Sequence, residues 1–338
     1  MRICQVLASW GHGGLEKHVV ELGNALCEEH EVAVIAHPEM QSRFDARITF
    51  IPVDFSRGRW SPGLHRDLLA ALKSWPADIV HAQANKAASL VGRLRPLVKA
   101  GGFVATLHNQ KGSTGMFRHF DHVIAVSPGI AVLIKSRPVT AIYNGIRAPQ
   151  PVENGRALLA AEFGFDAARP ILIGVGRLVE AKAFDILVPA AARAKAQVLI
   201  VGDGPMKSEL EAAIAKTGAE VRLAGFRTDA QHLMAAADGF VLSSRNEGFA
   251  YVFVEAILAK RPIVATTIPM VAGFVPDDLL APVEDVAALA DRLTWAVEHP
   301  DDWRQKMQPY FDKADNELTL QAMVRKTIAV YQNLENKH

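Results

Sequence analysis

The chain has 338 residues, half of them hydrophobic and 22% charged. That is too long for one ordinary domain and comfortable for two of about 150 residues each. The composition excludes a disordered or fibrous chain, and no apolar run reaches the roughly 20 residues of a membrane span. Only two cysteines occur, Cys4 on an apolar strand and Cys27 near a helix end. They read as reduced core thiols of a cytosolic protein rather than as a bridge. The opening MRICQVLASWGHGG runs straight into a strand and a glycine turn, without the apolar stretch that directs export. The formal charge of +1 hides an asymmetry: residues 1–150 carry 17 Lys+Arg against 11 Asp+Glu, and the remainder 20 against 25. A basic first half points to an anionic partner. No helix-turn-helix, zinc-finger or RNP pattern accompanies the charge, so nucleic acid is not the partner expected.

Arg2–Leu7 is predicted as a strand and Leu15–Leu26 as a helix with Val19, Leu22 and Leu26 facing inward. Between them stands Trp10-Gly11-His12-Gly13-Gly14. Glycines at a strand-to-helix turn let backbone amides approach a ligand, and the helix that follows points its positive end at it. The spacing is not G-x-G-x-x-G, which counts against a dinucleotide fingerprint. Segments 32–36, 49–53, 64–72, 79–82, 88–97 and 103–107 then alternate between strand and helix patterns, as in a parallel sheet covered on both faces. His108 ends one of these strands, where ligands gather in open α/β sheets, although a lone histidine is more often structural. Gly112 to Gly115 reads as a flexible segment, residues 122–134 as strand, cap and helix, and Asn144-Gly145-Ile146 as the close of the first half. Residues 148–168 hold Pro149, Pro151, Gly155 and Gly164 with weak periodicity and are expected to connect two domains.

A second α/β series follows, with strands at 171–175, 198–201, 221–223, 240–242 and 263–265. Arg177 and Lys182, five residues apart beyond the first of these strands, suit a pyrophosphate, although an isolated Arg-Lys pair is usually surface charge. Gly204 lies in a turn leading to a helix with Pro205 at its first position, and Gly225 follows the next strand. Arg245 to Thr266 then reads as loop, helix and buried strand, with the helix over Phe249–Ala259. Glu247 stands just ahead of that helix and Glu255 about two turns inside it. A carboxylate's two acceptor oxygens suit a vicinal diol, and the open amides of Gly248 to Ala250 suit a phosphate. Alone, such glutamates are more often solvated charges. Val286–Val297 and Leu318–Leu334 are expected as terminal helices.

The two glutamates, the Arg-Lys pair and the glycine loop ending in Glu16 and His18 together resemble the retaining glycosyltransferases of family 4. That resemblance spans nearly the whole chain and implies the GT-B arrangement, two Rossmann-like α/β domains facing across a cleft. The implied domains are 1–150 for the acceptor, 168–315 for the nucleotide sugar, and a last helix at 316–338 crossing back to the N-terminal domain. It also implies roles. Arg177 and Lys182 neutralise the departing diphosphate, Glu255 holds the ribose, Glu247 orients the transferred sugar, and His108 contacts that sugar. Gly13, Gly14, Gly176, Gly204, Gly225, Phe249 and Ala250 complete the donor site. The donor is a nucleoside-diphosphate sugar, by default a UDP-hexose; no cofactor and no metal are implied. Three positions depart from the family pattern. Ala250 replaces a proline, Ala183 replaces a glycine, and Thr267–Gly273 lacks a glycine pair. A nucleotide-cofactor oxidoreductase and a non-catalytic sugar-nucleotide-binding protein are the competing readings.

The basic residues of the first half suggest the acceptor. Arg57, Arg59 and Trp60 share a loop beyond a predicted strand end, Arg93, Arg95 and Lys99 form a second run, and Lys135 with Arg137 a third. Charges of this kind often only solvate helix faces. Concentrated in one half, they fit an anionic glycan or glycolipid such as lipopolysaccharide core, met by peripheral contact at the inner face of the cytoplasmic membrane.

Overall fold

A computed structural model describes residues 1–11, 13–109, 113–247 and 250–335. The chain forms two compact units, Met1–Ile146 together with the chain from Glu317 onward, and Arg147–Asn316. The first unit runs β1 (Arg2–Leu7), α1 (Gly14–Leu26), β2 (Glu31–Ala36), β3 (Thr49–Pro52), α2 (Pro62–Ser74), β4 (Ile79–Gln83), α3 (Ala84–Leu94), β5 (Gly102–Leu107), β6 (His122–Ala125), α4 (Pro128–Ala131) and β7 (Val139–Ala141). All its strand pairs are parallel, in the order β3-β2-β1-β4-β5-β6-β7. Strands β1, β2, β4 and β5 are buried along nearly their whole length. This is why they read as continuous apolar runs rather than alternating ones.

The second unit runs α5 (Gly155–Phe163), β8 (Ile171–Val175), α6 (Phe184–Ala194), β9 (Gln197–Val201), α7 (Lys207–Thr217), β10 (Val221–Gly225), α8 (Ala230–Ala236), β11 (Gly239–Leu242), α9 (Tyr251–Leu258), β12 (Ile263–Thr266), β13 (Leu280–Ala281), α10 (Val286–Glu298) and α11 (Pro300–Glu317). Its parallel sheet has the order β10-β9-β8-β11-β12-β13. In both sheets the strand order reverses beside the first strand, between β1 and β4 and between β8 and β11. Such a reversal sends the flanking loops apart and opens a crevice at the carboxyl ends of the strands.

Helix α12 (Leu320–Glu335) returns to the first unit. There Met323, Val330, Tyr331 and Leu334 join Val19, Leu22 and Leu26 of α1 on one face of the sheet. Leu64, Leu68, Leu90 and Leu94 of α2 and α3 pack on the other face. Ile146 N–H donates to Leu318 O at 3.1 Å and Leu320 N–H to Ile146 O at 2.9 Å, so the segment around Asn144-Gly145-Ile146 is where the chain end rejoins the unit. Both cysteines are buried and free, and burial pushes the Cys4 thiol up to about 12.

Two elements differ from the sequence expectation. Residues 148–168, read as a connection, contain α5, which belongs to the second unit. Gly155 and Gly164 punctuate its two ends, Gly164 as a left-handed C-cap at φ +70°. Arg156 pairs in bidentate fashion with Asp238 at 2.8 and 2.9 Å, which ties α5 to the chain between α8 and β11. Helix α11 was not expected at all. Its low hydropathy masks a stripe of Trp303, Met307, Phe311 and Ala314, all buried at three- and four-residue spacing.

The interior of the first unit holds a polar link. His81 on β4 bonds Tyr331 Oη of α12 through Nδ1 and Thr106 Oγ1 of β5 through Nε2, both at 2.6 Å. Tyr331→Phe keeps the packing and strips one partner from the buried imidazole. It should cost about 1–3 kcal/mol in urea unfolding, and a loss below about 0.5 kcal/mol would show the bond to be immaterial. Burial also holds His81 down at about 3 and His18 at about 4, against an ordinary 6.5. The unfolded chain therefore takes up these protons first. Stability is full above pH 6.5 and falls as pH drops, by about 1.4 kcal/mol per pH unit for each histidine once below that value. Urea midpoints measured from pH 7.5 to 5.5 should show this slope, and His81→Gln should flatten it.

Candidate active site

In the second unit the loops beyond β8 and β11 flank the reversal of strand order, and the sequence places a cation on one and an anion on the other. They meet: Lys182 Nζ forms an ion pair with Glu247 Oε1, the two side chains 20% and 11% exposed. The same oxygen accepts from Ser244 Oγ at 2.8 Å. Ser243 Oγ donates to Lys182 O at 2.8 Å and Arg245 N–H to Ala181 O at 2.9 Å. Arg245 in turn grips Asp185 at 2.7 and 3.0 Å and Glu284 at 2.6 Å. The β11 loop is thus laced to the β8 loop by side chains from residues 243 to 247. Ala183, next to Lys182, is fully buried at φ +51°, ψ +39°, the left-handed region that favours glycine. Its Cβ is tolerated there at a cost of about 1–2 kcal/mol, so Ala183 adopts a conformation that the family's glycine would take without that cost.

The loops beyond β8, β9 and β10 lie against one another. Gly176 N–H donates to Val201 O at 3.0 Å and Gly202 N–H to Gly225 O at 2.8 Å. A Cβ on Gly202, at φ +149°, would fall 1.9 Å from Gly176 O, and one on Gly204 would fall 2.5 Å from Leu178 O. No other residue fits at either position. Gly176, Gly204 and Gly225 are therefore brought together, and Gly176 also lies under the Lys182 side chain. Arg177 is exposed, and among the described residues its guanidinium has no partner. Glu255 on α9 is 9% exposed and accepts from Gln231 Nε2 of α8 at 2.7 Å. Ala250 is buried at the entrance to α9. Gly248 and Phe249 lie outside the described residues; Ala250 is non-helical at φ −84°, ψ +86°, so α9 begins at Tyr251 and ends at Leu258, shorter than the expected Phe249–Ala259.

In the first unit, Glu16 organises the glycine turn after β1. Its carboxylate accepts from Ser9 Oγ, from Gly11 N–H at 3.2 Å and from Gly13 N–H at 3.1 Å. Burial would raise its proton affinity, but the hydrogen bonds from Ser9, Gly11 and Gly13 outweigh it and hold the carboxyl below its ordinary value. Gly13 caps α1 and Gly14 begins it; His12 lies outside the described residues, as do Gln110 to Gly112. His108 follows β5 and bonds Gln83 Oε1 through Nε2 at 2.9 Å, while Gln83 Nε2 donates to Gln5 Oε1 at 2.9 Å. Its ring meets His18 edge-on, with centroids 4.8 Å apart. Burial, with His18 and His81 nearby, holds His108 well below its ordinary range, so the ring is neutral at pH 7. The Gln83 bond favours Nε2–H and leaves Nδ1 as the acceptor. Among the residues expected at the acceptor, Arg57 is committed to Asp67 at 2.9 Å, whereas Arg59 is exposed and Trp60 is 74% exposed.

Sequence reasoning missed Gln5, Gln83, Gln231, Ser243 and Ser244. The glutamines on β1 and β4 were detectable as polar residues interrupting buried apolar runs, and Ser243-Ser244 as hydroxyls just beyond a strand end. Gln231 carries no such signal, because its role depends on how α8 sits against α9.

Residues 12–148 match the family described as Glycosyltransferase Family 4, and residues 169–299 match Glycosyl transferases group 1. The chain is 30% identical over 268 residues to the lipopolysaccharide core biosynthesis glycosyltransferase LpsE of Rhizobium meliloti, covering 75% of this chain and 76% of that one. LpsD of the same organism, likewise a lipopolysaccharide core biosynthesis glycosyltransferase, is 26% identical over 270 residues and 75% of each chain. The fold matches the crystal structure of Anabaena Alr3699/HepE in complex with UDP, with a TM-score of 0.82 at 20% identity over 98% of this chain and 100% of that one. With its two parallel-sheet α/β domains of the GT-B type, the chain belongs to glycosyltransferase family 4.

Proposed function

We propose that the protein is a retaining, metal-independent hexosyltransferase that moves a sugar from a UDP-sugar to a glycan or glycolipid acceptor of the lipopolysaccharide core type. The observation that carries this reading is the meeting of Lys182 and Glu247 across the reversal of strand order, with the Lys182 side chain over Gly176. A diphosphate held there leaves with negative charge. Lys182, already fixed by Glu247, and Arg177, still uncommitted, offer it two cations with little reorganisation. Those cations supply the neutralisation that a divalent ion gives in other sugar transferases, which supports metal independence.

Glu255, buried and oriented by Gln231, is assigned to the ribose hydroxyls, and Glu247 to the transferred sugar. Gly13, Gly14, Gly176, Gly204, Gly225, Phe249 and Ala250 are assigned to the remainder of the donor. His108, neutral and with a fixed tautomer, is assigned to a sugar hydroxyl. No side chain is assigned as a nucleophile, and departure and attack on the same sugar face account for retention. Support for UDP comes from the UDP bound by Alr3699/HepE, and support for the acceptor from the naming of LpsE and LpsD. No helix among the described residues is long and apolar enough to cross a membrane. The positive charge of residues 1–150 supports peripheral contact with an anionic membrane face.

Two variants test the donor site. Glu255→Gln removes a charged acceptor and should weaken UDP binding by about tenfold or more in calorimetry; unchanged UDP and GDP affinities in the folded variant refute the ribose role. Arg177→Ala should lower turnover about a hundredfold while barely moving the melting temperature, because the guanidinium acts on developing charge rather than on the fold. The assay is run on a panel of nucleotide sugars in EDTA. Turnover that requires added magnesium or manganese overturns metal independence, and equal losses of activity and stability mark Arg177 as structural.

A further inference from the structure

The basic residues of the first unit divide into two groups once their partners are known. Arg57 pairs with Asp54 and Asp67, and Arg95 with Asp121 at 2.6 Å. These cations serve the fold. Arg59, Arg93 and Arg118 have no carboxylate partner among the described residues, and all three line one cavity of about 460 Å³ with Trp60, Ser113 and His119. No Asp or Glu is among its described lining residues.

The walls are held in place. Arg93 Nη1 donates to Arg59 O at 3.2 Å, and its guanidinium lies 3.7 Å from the centre of the Trp60 ring. Arg118 Nε donates to His119 Nε2 at 3.3 Å, and Arg137 Nε to Arg118 O at 2.8 Å. Arg95 anchors the His119 carbonyl at 2.5 Å. Gly92 on α3 admits the His119 ring, since a Cβ there would lie 3.1 Å from His119 Cβ. Burial first, and then the field of Arg118, Arg137, Arg95 and Arg93, holds His119 below its ordinary proton affinity.

Guanidiniums lining one cavity repel each other, and an oxyanion is what relieves them. A carboxylate brings two oxygens and one charge. A phosphate monoester brings three oxygens and close to two charges at pH 7, which suits three cations better. Beside them stands Trp60, covered on its ring by Arg93 yet 74% exposed. An aromatic ring that stays this open offers an apolar platform to the C–H face of a sugar.

We infer that this cavity binds a phosphorylated sugar of the acceptor, with Arg59, Arg93 and Arg118 on the phosphate and Trp60 under the ring. Its place in acceptor recognition rests on the transferase reading above; the binding itself does not. The test is calorimetry on the full chain with glucose 6-phosphate, glucose, inorganic phosphate and glucuronate, and with UDP titrated separately. Glucose 6-phosphate should bind more tightly than the other three. Arg93→Gln and Arg118→Gln should each weaken it about tenfold, with UDP affinity intact as proof of folding, and Arg66→Gln should leave it unchanged. Glucose 6-phosphate binding that is absent, or that survives both cavity variants, overturns the proposal, and glucuronate binding as tightly makes the site one for carboxylates. Protein that ignores glucose 6-phosphate, yet is released from phosphatidylglycerol vesicles by the same variants, carries a membrane patch instead. Wild-type protein that binds glucose 6-phosphate but not UDP refutes the transferase reading and leaves the phosphate site standing.

Discussion

A parallel sheet covered on both faces leaves polar groups almost nowhere to go except the ends of its strands. This constraint shapes both units. The strand interiors are buried apolar runs, and among the described residues the exceptions are few: Gln5, His81, Gln83 and Thr106 in the first sheet and Gln197 and Thr266 in the second. Each makes at least one side-chain hydrogen bond, although Gln5 Nε2 has no partner among the described residues; an unpaired polar group at such depth costs on the order of 1–3 kcal/mol. Functional side chains therefore collect in the loops beyond the carboxyl ends. Where the strand order reverses, two such loops diverge and leave room for a ligand.

The Lys182–Glu247 pair shows how that room is held ready. A partly buried ion pair is a poor source of stability on its own, since desolvation of both charges offsets much of their attraction. Its value lies in position. Ser244 holds the carboxylate, Ser243 holds the backbone of Lys182, and Arg245 clamps the loop to Asp185 and Glu284. Ala183 accepts an unfavourable backbone conformation to bring the chain from the lysine into α6. Together these fix the ammonium of Lys182 beside the reversal of strand order during folding, so that its side chain needs no later ordering.

In the first unit the same logic links the chain's last helix to its candidate sugar-binding histidine. Tyr331 of α12 bonds His81, Gln83 lies 3.4 Å from His81 Nδ1 through its amide, and Gln83 fixes His108. Packing of α12 against α1 and β5 thereby bears on the orientation of a ring at a strand end. This gives the return of the last helix a function beyond covering one face of the sheet. It completes the polar core on which His108 rests.

The alternation of apolar runs and amphipathic segments determined the two α/β series, because strands in a parallel sheet and helices on its faces have different periodicities that survive in the residues themselves. Glu247, Glu255, Arg177, Lys182 and the glycine turns were singled out by their resemblance to a family pattern, since local spacing alone reads such charges as solvated. Residues 148–168 were misread because Gly155 and Gly164 signal breaks equally well at the ends of a short helix and within a linker. Tertiary structure alone decided which charges are spent and which are available. Arg57 and Arg59 are two residues apart and alike in sequence, yet one is bound to Asp54 and Asp67 and the other faces a cavity with Arg93 and Arg118. Pairing depends on side chains converging from separate helices and turns, and one-dimensional spacing carries no record of that convergence.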